Sequence, residues 1–309
     1  MKFSVIVVNK GDRGMLSRCL TSIAQQTQRD IEVLVVGLKH PLPDERFRCI
    51  EADTSNIIAA KNLAARQAAG EWLLFLGATS VLEDECLARL YAASLRFPDC
   101  AMFAATQLDN AAPEMLAAAG KSYFFAGFPF CGGKDWPMDV LPDEGECFGA
   151  NTACIFIQKN VFEQLGGFDD EFETMCEDTD LAFRLRLAGH HAILASEAVL
   201  FVTEHPHKEA YYYTSRNIVW TFVKNMPDAL FYPLLPLHIL IHVFMLCDVL
   251  HFNARLSGLI AAFKHPKQLW QKRKSVQSAR KASFKTIARA LTWGLSTVFW
   301  RKPDIRRRR

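Results

Sequence analysis

Buried strands and amphipathic helices alternate in the first part of the chain, as judged by the spacing of its apolar residues. Continuous apolar runs at Phe3–Val8, Ile31–Val36 and Trp72–Leu76 predict strands that are covered on both faces. Apolar residues recur at helical spacing over 15–24, and a further helix is predicted over 56–69. The strand–helix–strand order predicts a parallel βαβ unit with a right-handed crossover, and therefore an α/β fold.

Several candidate ligand-binding residues follow directly from this strand arrangement. In open sheets of this kind, ligands bind beyond the carboxyl ends of the strands. Asn9 follows the first strand and Gly37 follows the second, so both are expected at the rim of a pocket. Val8 and Gly77 lie at the same predicted edge.

Further strands are predicted downstream at 100–106 and 150–157, and one or two short strands over 192–201, where apolar residues again run together. Residues 107–148 are rich in Gly, Pro and aromatic side chains and show little periodicity. We interpret them as a long loop region bordering the site, because loops commonly carry binding residues; a purely stabilising aromatic cluster is an equal alternative. The length allows one large domain, over about 1–225, and an appendage.

The appendage, 226–309, combines an apolar stretch with a basic tail. Ala229–Cys247 contains 19 residues without Asp, Glu, Lys or Arg, which is long enough to span a bilayer. From Lys264 onward there are 15 Lys or Arg and one acid, whereas residues 1–263 have 21 basic and 32 acidic residues. A single span would place this tail opposite the domain, against the positive-inside rule. With a second apolar run at 287–300, the pattern favours an interfacial helix pair on anionic headgroups.

Cysteine usage and the first residues predict a cytosolic domain. The nine Cys are scattered without paired metal-ligand spacing such as CxxC, so we expect them to be reduced and mostly buried. Met1-Lys2 leads directly into a strand-like run without a small-residue cleavage site, unlike a secretory signal. We therefore expect the protein at the cytoplasmic face of the inner membrane, held peripherally or monotopically.

The most distinctive stretch is acidic and follows a predicted helix over 159–165. Gly166-Gly167 can end that helix, because Gly reaches the left-handed conformation at little cost. A second helix is predicted to start near Cys176. Thr174 and Glu177 have capping-box spacing, so Glu177 is expected to reach back to the Thr174 amide.

The charges of this second helix are placed as electrostatics favours. Glu177 and Asp178 fall in the first turn, where the helix dipole favours negative charge. Asp180 and Arg184 are four residues apart and are expected to pair on one face. Taken alone, these features require nothing more than a capped helix start.

Several segments together resemble family 2 glycosyltransferases, which have the GT-A nucleotide-sugar-binding fold. The resemblance is carried by GGFDDEFETMCEDTDLAFRLR at 166–186, the two strands within 3–36, NIIAAKNLAARQAAGEWLLFL at 56–76 and YYYTSRN at 211–217. The segment LWQKRKSVQSARKAS, at 269–283, is similar to the tail of membrane-bound members. The resemblance implies a mixed GT-A sheet flanked by helices, with a helical, membrane-associated appendage at its C-terminal end.

By this resemblance, Asp178 is the general base that takes a proton from the acceptor hydroxyl, and Glu177 is its neighbour. Lys61 occupies the basic position that the family uses near the nucleotide diphosphate. The set of donor-binding residues that the resemblance implies is Val8, Asn9, Gly37, Asn56, Lys61, Gly77 and Arg216.

The sequence also departs from the family pattern. Gly37 stands where the family usually has an Asp that grips the nucleotide base, and Lys10-Gly11 replace an aromatic residue and Asn. The family's DxD or NxD motif, which holds Mg²⁺ or Mn²⁺ on the sugar diphosphate, is replaced by Gly77-Ala78-Thr79-Ser80. Asp84 and His205 are weak alternative metal candidates, so a divalent cation is an open question.

Together, the residue patterns and the family resemblance predict a glycosyltransferase. It would move a sugar from a nucleotide-sugar donor to a saccharide or lipid-linked saccharide in bacterial cell-surface polysaccharide synthesis. Inversion at the anomeric carbon is the expected outcome. One alternative is a non-catalytic relative that binds a partner transferase or a glycan, since the DxD motif is missing. A second is nucleic-acid binding by the basic tail through its aromatic residues; the apolar stretch before the tail favours a membrane instead, so no nucleic-acid partner is expected.

Overall fold

The computed structural model describes residues 2–9, 12–38, 45–141, 144–203 and 209–308. Its strands are β1 (Phe3–Val8), β2 (Ile31–Val36), β3 (Phe47–Ile50), β4 (Trp72–Leu76), β5 (Ser80–Leu82), β6 (Cys100–Asp109), β7 (Leu116–Ala119), β8 (Lys121–Phe124), β9 (Phe128–Cys131), β10 (Gly145–Cys147), β11 (Cys154–Gln158) and β12 (His191–Val202). Its α-helices are α1 (Arg13–Gln25), α2 (Ile57–Gln67), α3 (Cys86–Arg96), α4 (Lys159–Gln164), α5 (Glu177–Leu187), α6 (Ala210–Asn225), α7 (Asp228–Met245), α8 (Phe252–Ala262), α9 (Pro266–Ser278), α10 (Phe284–Ala290) and α11 (Leu295–Phe299).

The main sheet is mixed and has the order β10-β12-β6-β11-β4-β1-β2-β3, with β5 and β7 added at its side. β1 pairs in parallel with both β2 and β4, which confirms the predicted βαβ unit. β11 is antiparallel to β4 and to β6. The fold class predicted from the sequence, a mixed α/β sheet flanked by helices, is therefore confirmed.

The continuous apolar strands are explained by helices on both faces of the sheet. Along β1, Ile6 and Val8 face the layer that contains α2 and α5, whereas Val5 and Val7 face the layer that contains α1 and α3. All six residues of β1 are buried. Burial on both faces removes the alternation of apolar and polar residues that a half-exposed strand would show.

The interpretation of residues 107–148 as one long loop region is wrong, because strands occupy much of the segment. The segment forms the end of β6, then β7, the hairpin of β8 and β9, a short 3-10 turn at Met138–Val140, and β10. β7 and β8 are largely buried, so apolar residues occupy both faces and no period of two appears. The aromatic side chains of this region pack into the core rather than line a surface loop.

Smaller differences concern element boundaries. The strand predicted at 150–157 is observed only from Cys154, and β3 and β5 were not predicted. Asp84 and Glu85 precede α3, and Glu85 makes no side-chain cap. The helix predicted over 159–165 is α4, and Gly166 and Gly167 follow it with φ of 80° and 73°, as expected for glycines that end a helix.

The appendage packs against the domain at several places. Ile287 and Leu291 are buried in the same core as the sheet. The backbone N–H of Thr292 donates to the Tyr123 carbonyl at 2.9 Å, and Arg306 exchanges two backbone hydrogen bonds with Glu146. The second apolar run is not one helix but α10 and α11, and part of it serves the core. The domain boundary at residue 225 stays a prediction.

Helix α7 contains most of the predicted 19-residue apolar stretch. By length and composition alone it could cross a membrane, with a mean hydropathy of 1.5. It contains Pro233 and Pro236, and its only buried residues are Phe231, His238 and His242. Exposed apolar side chains line the rest of it: Tyr232, Ile239, Leu240, Val243 and Phe244.

Candidate active site

The acidic segment reaches α5 through a loop of uncommon backbone conformation. Glu173, Met175 and Cys176 have φ of 59°, 62° and 63°, a region that costs non-glycine residues energy. Two residues of α6 hold this loop. Arg216 donates to the Glu171 and Phe172 carbonyls at 3.0 and 2.9 Å, and Asn217 donates to the carbonyls of Phe172, Thr174 and Met175.

Arg216 is therefore placed differently from its predicted donor-binding role. Its guanidinium also pairs with Glu173 at 2.8 Å and lies over the Trp220 ring, 4.5 Å from the centroid. All these contacts direct Arg216 to the loop before α5, and none joins it to Lys61 or Asp178. Its structural effect is to fix the start of the helix that carries the acidic pair.

The predicted capping box is absent. The N-cap of α5 is Cys176, in a left-handed conformation, and no side chain caps the helix. Glu177 does not reach back to Thr174, because its carboxylate extends in another direction. Its Oε1 accepts hydrogen bonds from Lys61 Nζ at 3.2 Å and from Thr152 Oγ1 at 2.8 Å.

Asp178 is held by a second set of donors. Its Oδ2 accepts from Lys121 Nζ at 2.9 Å and from the Thr152 backbone N–H at 3.0 Å. Its Oδ1 accepts from the backbone N–H and the hydroxyl of Thr179 at 2.5 and 2.9 Å. Thr152 thus bridges two lysine–carboxylate pairs. We call the group Lys61, Lys121, Thr152, Glu177 and Asp178 the site cluster.

The site cluster is buried and electrically balanced. Glu177 and Asp178 are each 3% exposed, and two lysines face two carboxylates. Burial alone would raise the pKa of Asp178, but the Lys121 ammonium and the hydrogen bonds outweigh it and hold that pKa below its ordinary value. Among the described residues, Glu177 Oε2 has no hydrogen-bond partner. One buried carboxylate oxygen of the cluster is thus unpaired within the described residues.

The expected donor edge forms at the carboxyl ends of β1 and β2. Asn9 Nδ2 donates to the Gly37 carbonyl at 3.2 Å, so these two residues lie together as predicted. Gly37 has φ of 78°, and a Cβ there would lie 2.4 Å from Thr54 Cγ2. The presence of glycine at position 37 therefore has a local steric explanation. An Asp there would clash with Thr54 and would have a strained backbone. Val8, next to Asn9, is buried.

Asn56 links the donor edge to the acidic segment. Its side-chain oxygen caps α2 by accepting from the Ile58 and Ala59 N–H groups, and its Nδ2 donates to the Asp170 carbonyl at 3.0 Å. Its contacts within the described residues are those of a helix cap and a tether. A donor-binding role for Asn56 stays a prediction.

Gly77 is linked to the site cluster through backbone hydrogen bonds. Its N–H donates to the Ala153 carbonyl at 3.0 Å, and Ala153 follows Thr152, whose N–H binds Asp178. The residues after β4, 77–80, contribute no carboxylate, and the described residues contain no group of three or more His, Cys, Asp or Glu that could hold a metal. The residues at the family's metal position therefore do not fit a protein-anchored divalent cation.

The two weak metal candidates do not change this result. The Asp84 carbonyl accepts from the Thr27 N–H at 3.0 Å, and Thr27 lies just beyond the C-terminal end of α1. Helix α1 follows Asn9 and has 13 residues, a length of about 20 Å, so Asp84 lies by the end of α1 that is remote from Asn9. His205 and Lys10 lie outside the described residues.

Lys121 and Thr152 are functional candidates that the sequence reasoning missed. Lys121 belongs to β8, in the segment interpreted as a loop, and Thr152 precedes β11. One signal was available, because Lys121 is the single charged residue between Leu116 and Gly133. A lone charge in such an apolar stretch, when buried, needs an opposite charge beside it.

Solved structures with the same architecture define the class of protein. S. aureus TarS (residues 1–349) superimposes with a TM-score of 0.55 at 14% identity, covering 95% of this chain and 93% of that one. The mannosyltransferase PcManGT from Pyrobaculum calidifontis, solved with GDP-Man and Mn²⁺, gives 0.55 at 17% identity, with coverages of 94% and 86%. GalNAc-T7, solved with UDP, GalNAc and Mn²⁺, gives 0.59 at 13% identity, with 74% and 48%. The fold is that of the GT-A glycosyltransferases.

Sequence comparison assigns the family. The model of the "Glycosyltransferase like family 2" matches residues 2–225, and the chain belongs to this family. The O-antigen biosynthesis protein RfbC of Myxococcus xanthus is 26% identical over 231 residues, which are 68% of this chain and 18% of RfbC. This chain thus corresponds to about a fifth of that relative. The resemblance found in the sequence is confirmed at the level of family and fold.

Proposed function

We propose that this chain transfers a hexose from a nucleotide-sugar donor to a saccharide or lipid-linked saccharide, in the synthesis of a bacterial cell-surface polysaccharide. Family membership supports transferase chemistry, and the relative RfbC is named for O-antigen biosynthesis. The observation that best supports the proposal is the position of the Asp178 carboxylate relative to the donor edge. Through Thr152 and Ala153, the Asp178 carboxylate is two hydrogen bonds from Gly77 at the donor edge.

In the proposed reaction, the acceptor hydroxyl attacks the anomeric carbon as the bond to the diphosphate oxygen breaks. Asp178 takes the hydroxyl proton, and the nucleoside diphosphate leaves as an anion. Single displacement inverts the anomeric configuration. Lys61 and Lys121 keep the two buried carboxylates compensated, so that an anionic donor does not meet two uncompensated negative charges. The fixed donors of the site cluster supply orientation without reorganisation during the reaction.

The test begins with donor identification by thermal shift. The full chain is screened with UDP, GDP and their sugars, with and without Mn²⁺, because a ligand that binds the native state raises its melting temperature. With the donor identified, Asp178→Asn should reduce transfer by about 10²–10⁴-fold while leaving the donor-induced thermal shift in place. The exposed Asp139→Asn serves as the matched control and should leave both unchanged. Full turnover by Asp178→Asn would remove Asp178 as the base.

A non-catalytic, partner-binding relative is the second candidate. It is favoured by one observation, the lack of a carboxylate at 77–80, where the family holds its metal. It predicts no thermal shift with any nucleoside diphosphate. A clear shift with one nucleotide, together with transfer that depends on Asp178, would reject it.

We also propose that the chain works at the cytoplasmic face of a membrane, resting on it through α7 and α8 without crossing. The support is the exposed apolar surface of these helices, with Phe244 75% and Phe263 61% exposed, next to the basic residues that follow Lys264. Flotation with phosphatidylcholine vesicles should improve when phosphatidylglycerol is added and fall with salt.

The matched variants compare two exposed apolar surfaces. Leu240→Ser with Phe244→Ser should lower flotation, whereas Leu95→Ser on α3, which removes an equally exposed side chain, should not. Labelling of the C-terminus from the periplasmic side in cells would contradict a monotopic arrangement.

A further inference from the structure

The charges around Asp178 raise a question about its proposed role. A buried carboxylate favours its protonated form, and a protonated Asp178 could not accept a proton from an acceptor hydroxyl. The positive charge that compensates the burial of Asp178 does not come from the acidic segment. It is Lys121, 57 residues earlier in the chain, on β8.

Lys121 is rigidly placed. Its backbone N–H donates to the Gly149 carbonyl at 2.8 Å, and its carbonyl accepts from the Phe148 N–H at 3.1 Å. The neighbouring Tyr123 is fully buried and stacks on Phe148. The ammonium group therefore meets Asp178 from a strand whose backbone is held by hydrogen bonds on both sides of Lys121.

On this geometry, we propose that Lys121 is a positioning residue for Asp178, which keeps the buried carboxylate ionised and aimed through the contact of its ammonium with Oδ2. The proposal rests on the assignment of Asp178 as the base. It adds a residue for which the sequence showed no family-like motif, and it explains why the β8–β9 hairpin lies over the acidic helix.

The proposal also accounts for the proton and the charges during transfer. The acceptor proton moves to Asp178, the acceptor oxygen bonds to the anomeric carbon, and the diphosphate leaves with the bonding electrons. Lys121 keeps its own proton throughout. Once Asp178 is neutral, the positive charge of Lys121 is no longer balanced by it, and that charge offsets the negative charge developing on the diphosphate near Gly77.

Other ionisable groups also surround the Asp178 carboxylate. The groups that interact electrostatically with Asp178, or with Cys176 and Lys121 beside it, are Lys121, Cys131, Cys176, Glu177 and Asp180. Lys61 acts indirectly, through its ion pair with Glu177. Of the two lysines, Lys121 is the one in contact with Asp178. Removal of Lys121 should therefore shift Asp178 upward in pKa more than removal of any other lysine.

The test measures Asp178 directly, without any donor. In protein labelled with ¹³C at aspartate carboxyls, the Asp178 resonance is identified by its loss in Asp178→Asn. In the wild type it should titrate below the ordinary value of about 4. In Lys121→Met its midpoint should rise by about one pH unit or more. Lys121→Arg, which keeps the charge, should restore a lowered midpoint.

Lys224→Met is the matched control, because Lys224 is also largely buried, with 4% of its side chain exposed against 13% for Lys121, and pairs with carboxylates of the same acidic segment. It should leave the Asp178 midpoint near the wild-type value. With the donor found by thermal shift, the acidic limb of the transfer rate should move to higher pH in Lys121→Met and stay in place in Lys224→Met. These shifts separate positioning from general loss of structure.

Two results would overturn the proposal. A wild-type Asp178 that titrates at or above the ordinary value would show that Lys121 does not keep it ionised, and this measurement does not depend on any variant folding. An unchanged midpoint in a folded Lys121→Met protein would do the same. Full transfer by Asp178→Asn would instead reject the base assignment, so the two failures are distinguishable.

Discussion

Two clusters of buried charge share helix α5, and they differ in how completely their carboxylate oxygens are paired. The site cluster contains Glu177 and Asp178, and one oxygen, Glu177 Oε2, has no partner among the described residues. The second cluster, which we call the anchoring cluster, consists of Asp169, Asp180, Arg184, Lys224 and Lys272. All four carboxylate oxygens of this cluster bind at least one cation.

The anchoring cluster joins parts of the chain that are distant in sequence. Asp180 binds Arg184 at 2.8 Å, Lys224 of α6 at 2.9 Å and Asn225 at 2.8 Å. Asp169 binds Lys224 at 2.7 Å and Lys272 of α9 at 2.6 Å. The cluster therefore ties the acidic segment to α6 and to the appendage, and it leaves no carboxylate oxygen for a ligand.

The comparison shows that one acidic motif performs two physical tasks. Asp178 and Asp180, two positions apart on α5, point to different sides of the helix: Asp178 towards Thr152 and Lys121, and Asp180 towards α6. Saturated pairing suits an anchor, because each buried charge is compensated. Incomplete pairing suits a site, because a substrate group can complete it. Function is therefore expected from Glu177 and Asp178 and stability from Asp169 and Asp180.

The largest expected effect is on stability, from Asp180→Asn. Removing one partner of a buried ion pair leaves the cations uncompensated and should lower the free energy of unfolding by about 3–5 kcal/mol. The control is Glu85→Gln, since Glu85 and Arg89 have the same spacing and the same 2.8 Å separation but are exposed. Urea denaturation should show no measurable change for the control. Equal stability of both variants would contradict the anchoring role.

The pH dependence of stability sharpens the same contrast. For Asp180, burial acts to raise the pKa, but Arg184 and Lys224 hold it well below its ordinary value. A lowered folded pKa contributes stability that is present above the unfolded value of about 4 and lost as pH falls below it. Urea midpoints should therefore fall from pH 5 downward, and less steeply in Asp180→Asn. Glu146, with a pKa lowered to about 2, should preserve part of the slope in the variant. An identical slope would contradict this assignment.

The sequence correctly predicted the features that depend on residues close together in the chain. The runs Phe3–Val8, Ile31–Val36 and Trp72–Leu76 are strands because their residues are apolar without interruption. The pair Asp180–Arg184 followed from helical spacing alone. One local prediction, the capping box between Thr174 and Glu177, was wrong. Cys176 adopts a left-handed conformation that redirects the chain, and Glu177 binds Lys61 instead of capping the helix.

The remaining errors have a common physical origin in distant contacts. Lys121 and Thr152 join Asp178 only because the tertiary fold brings β8, the residues before β11 and the start of α5 together. The β8–β9 hairpin was interpreted as a loop because its burial removes the alternation that identifies a strand. Arg216 was expected at a phosphate, but its guanidinium is used by the strained loop before Glu177.

A smaller effect is expected on donor binding, from Lys61→Ala. Lys61 compensates Glu177, so its loss would leave a buried carboxylate unpaired beside an anionic ligand. Calorimetric titration with UDP and GDP should show affinity reduced by about tenfold for the nucleotide that binds. Asp84→Ala is the control and should bind as the wild type does, because Asp84 lies at the far end of α1. A larger loss in Asp84→Ala would show that this carboxylate, not Lys61, serves the donor.

The smallest expected effect is that of a chelator on the same titration. Residues 77–80 offer hydroxyl and backbone oxygens but no carboxylate, so a divalent cation would be held chiefly by the diphosphate itself. We therefore expect EDTA to change nucleoside diphosphate binding only slightly. A strict requirement for Mn²⁺ would contradict this and would direct attention to Glu177, whose Oε2 is the buried carboxylate oxygen left unpaired in the site cluster. Glu177→Gln would then decide the matter. If Mn²⁺ no longer promotes nucleotide binding in this variant, Glu177 is the metal ligand, because a cation prefers a carboxylate to an amide oxygen.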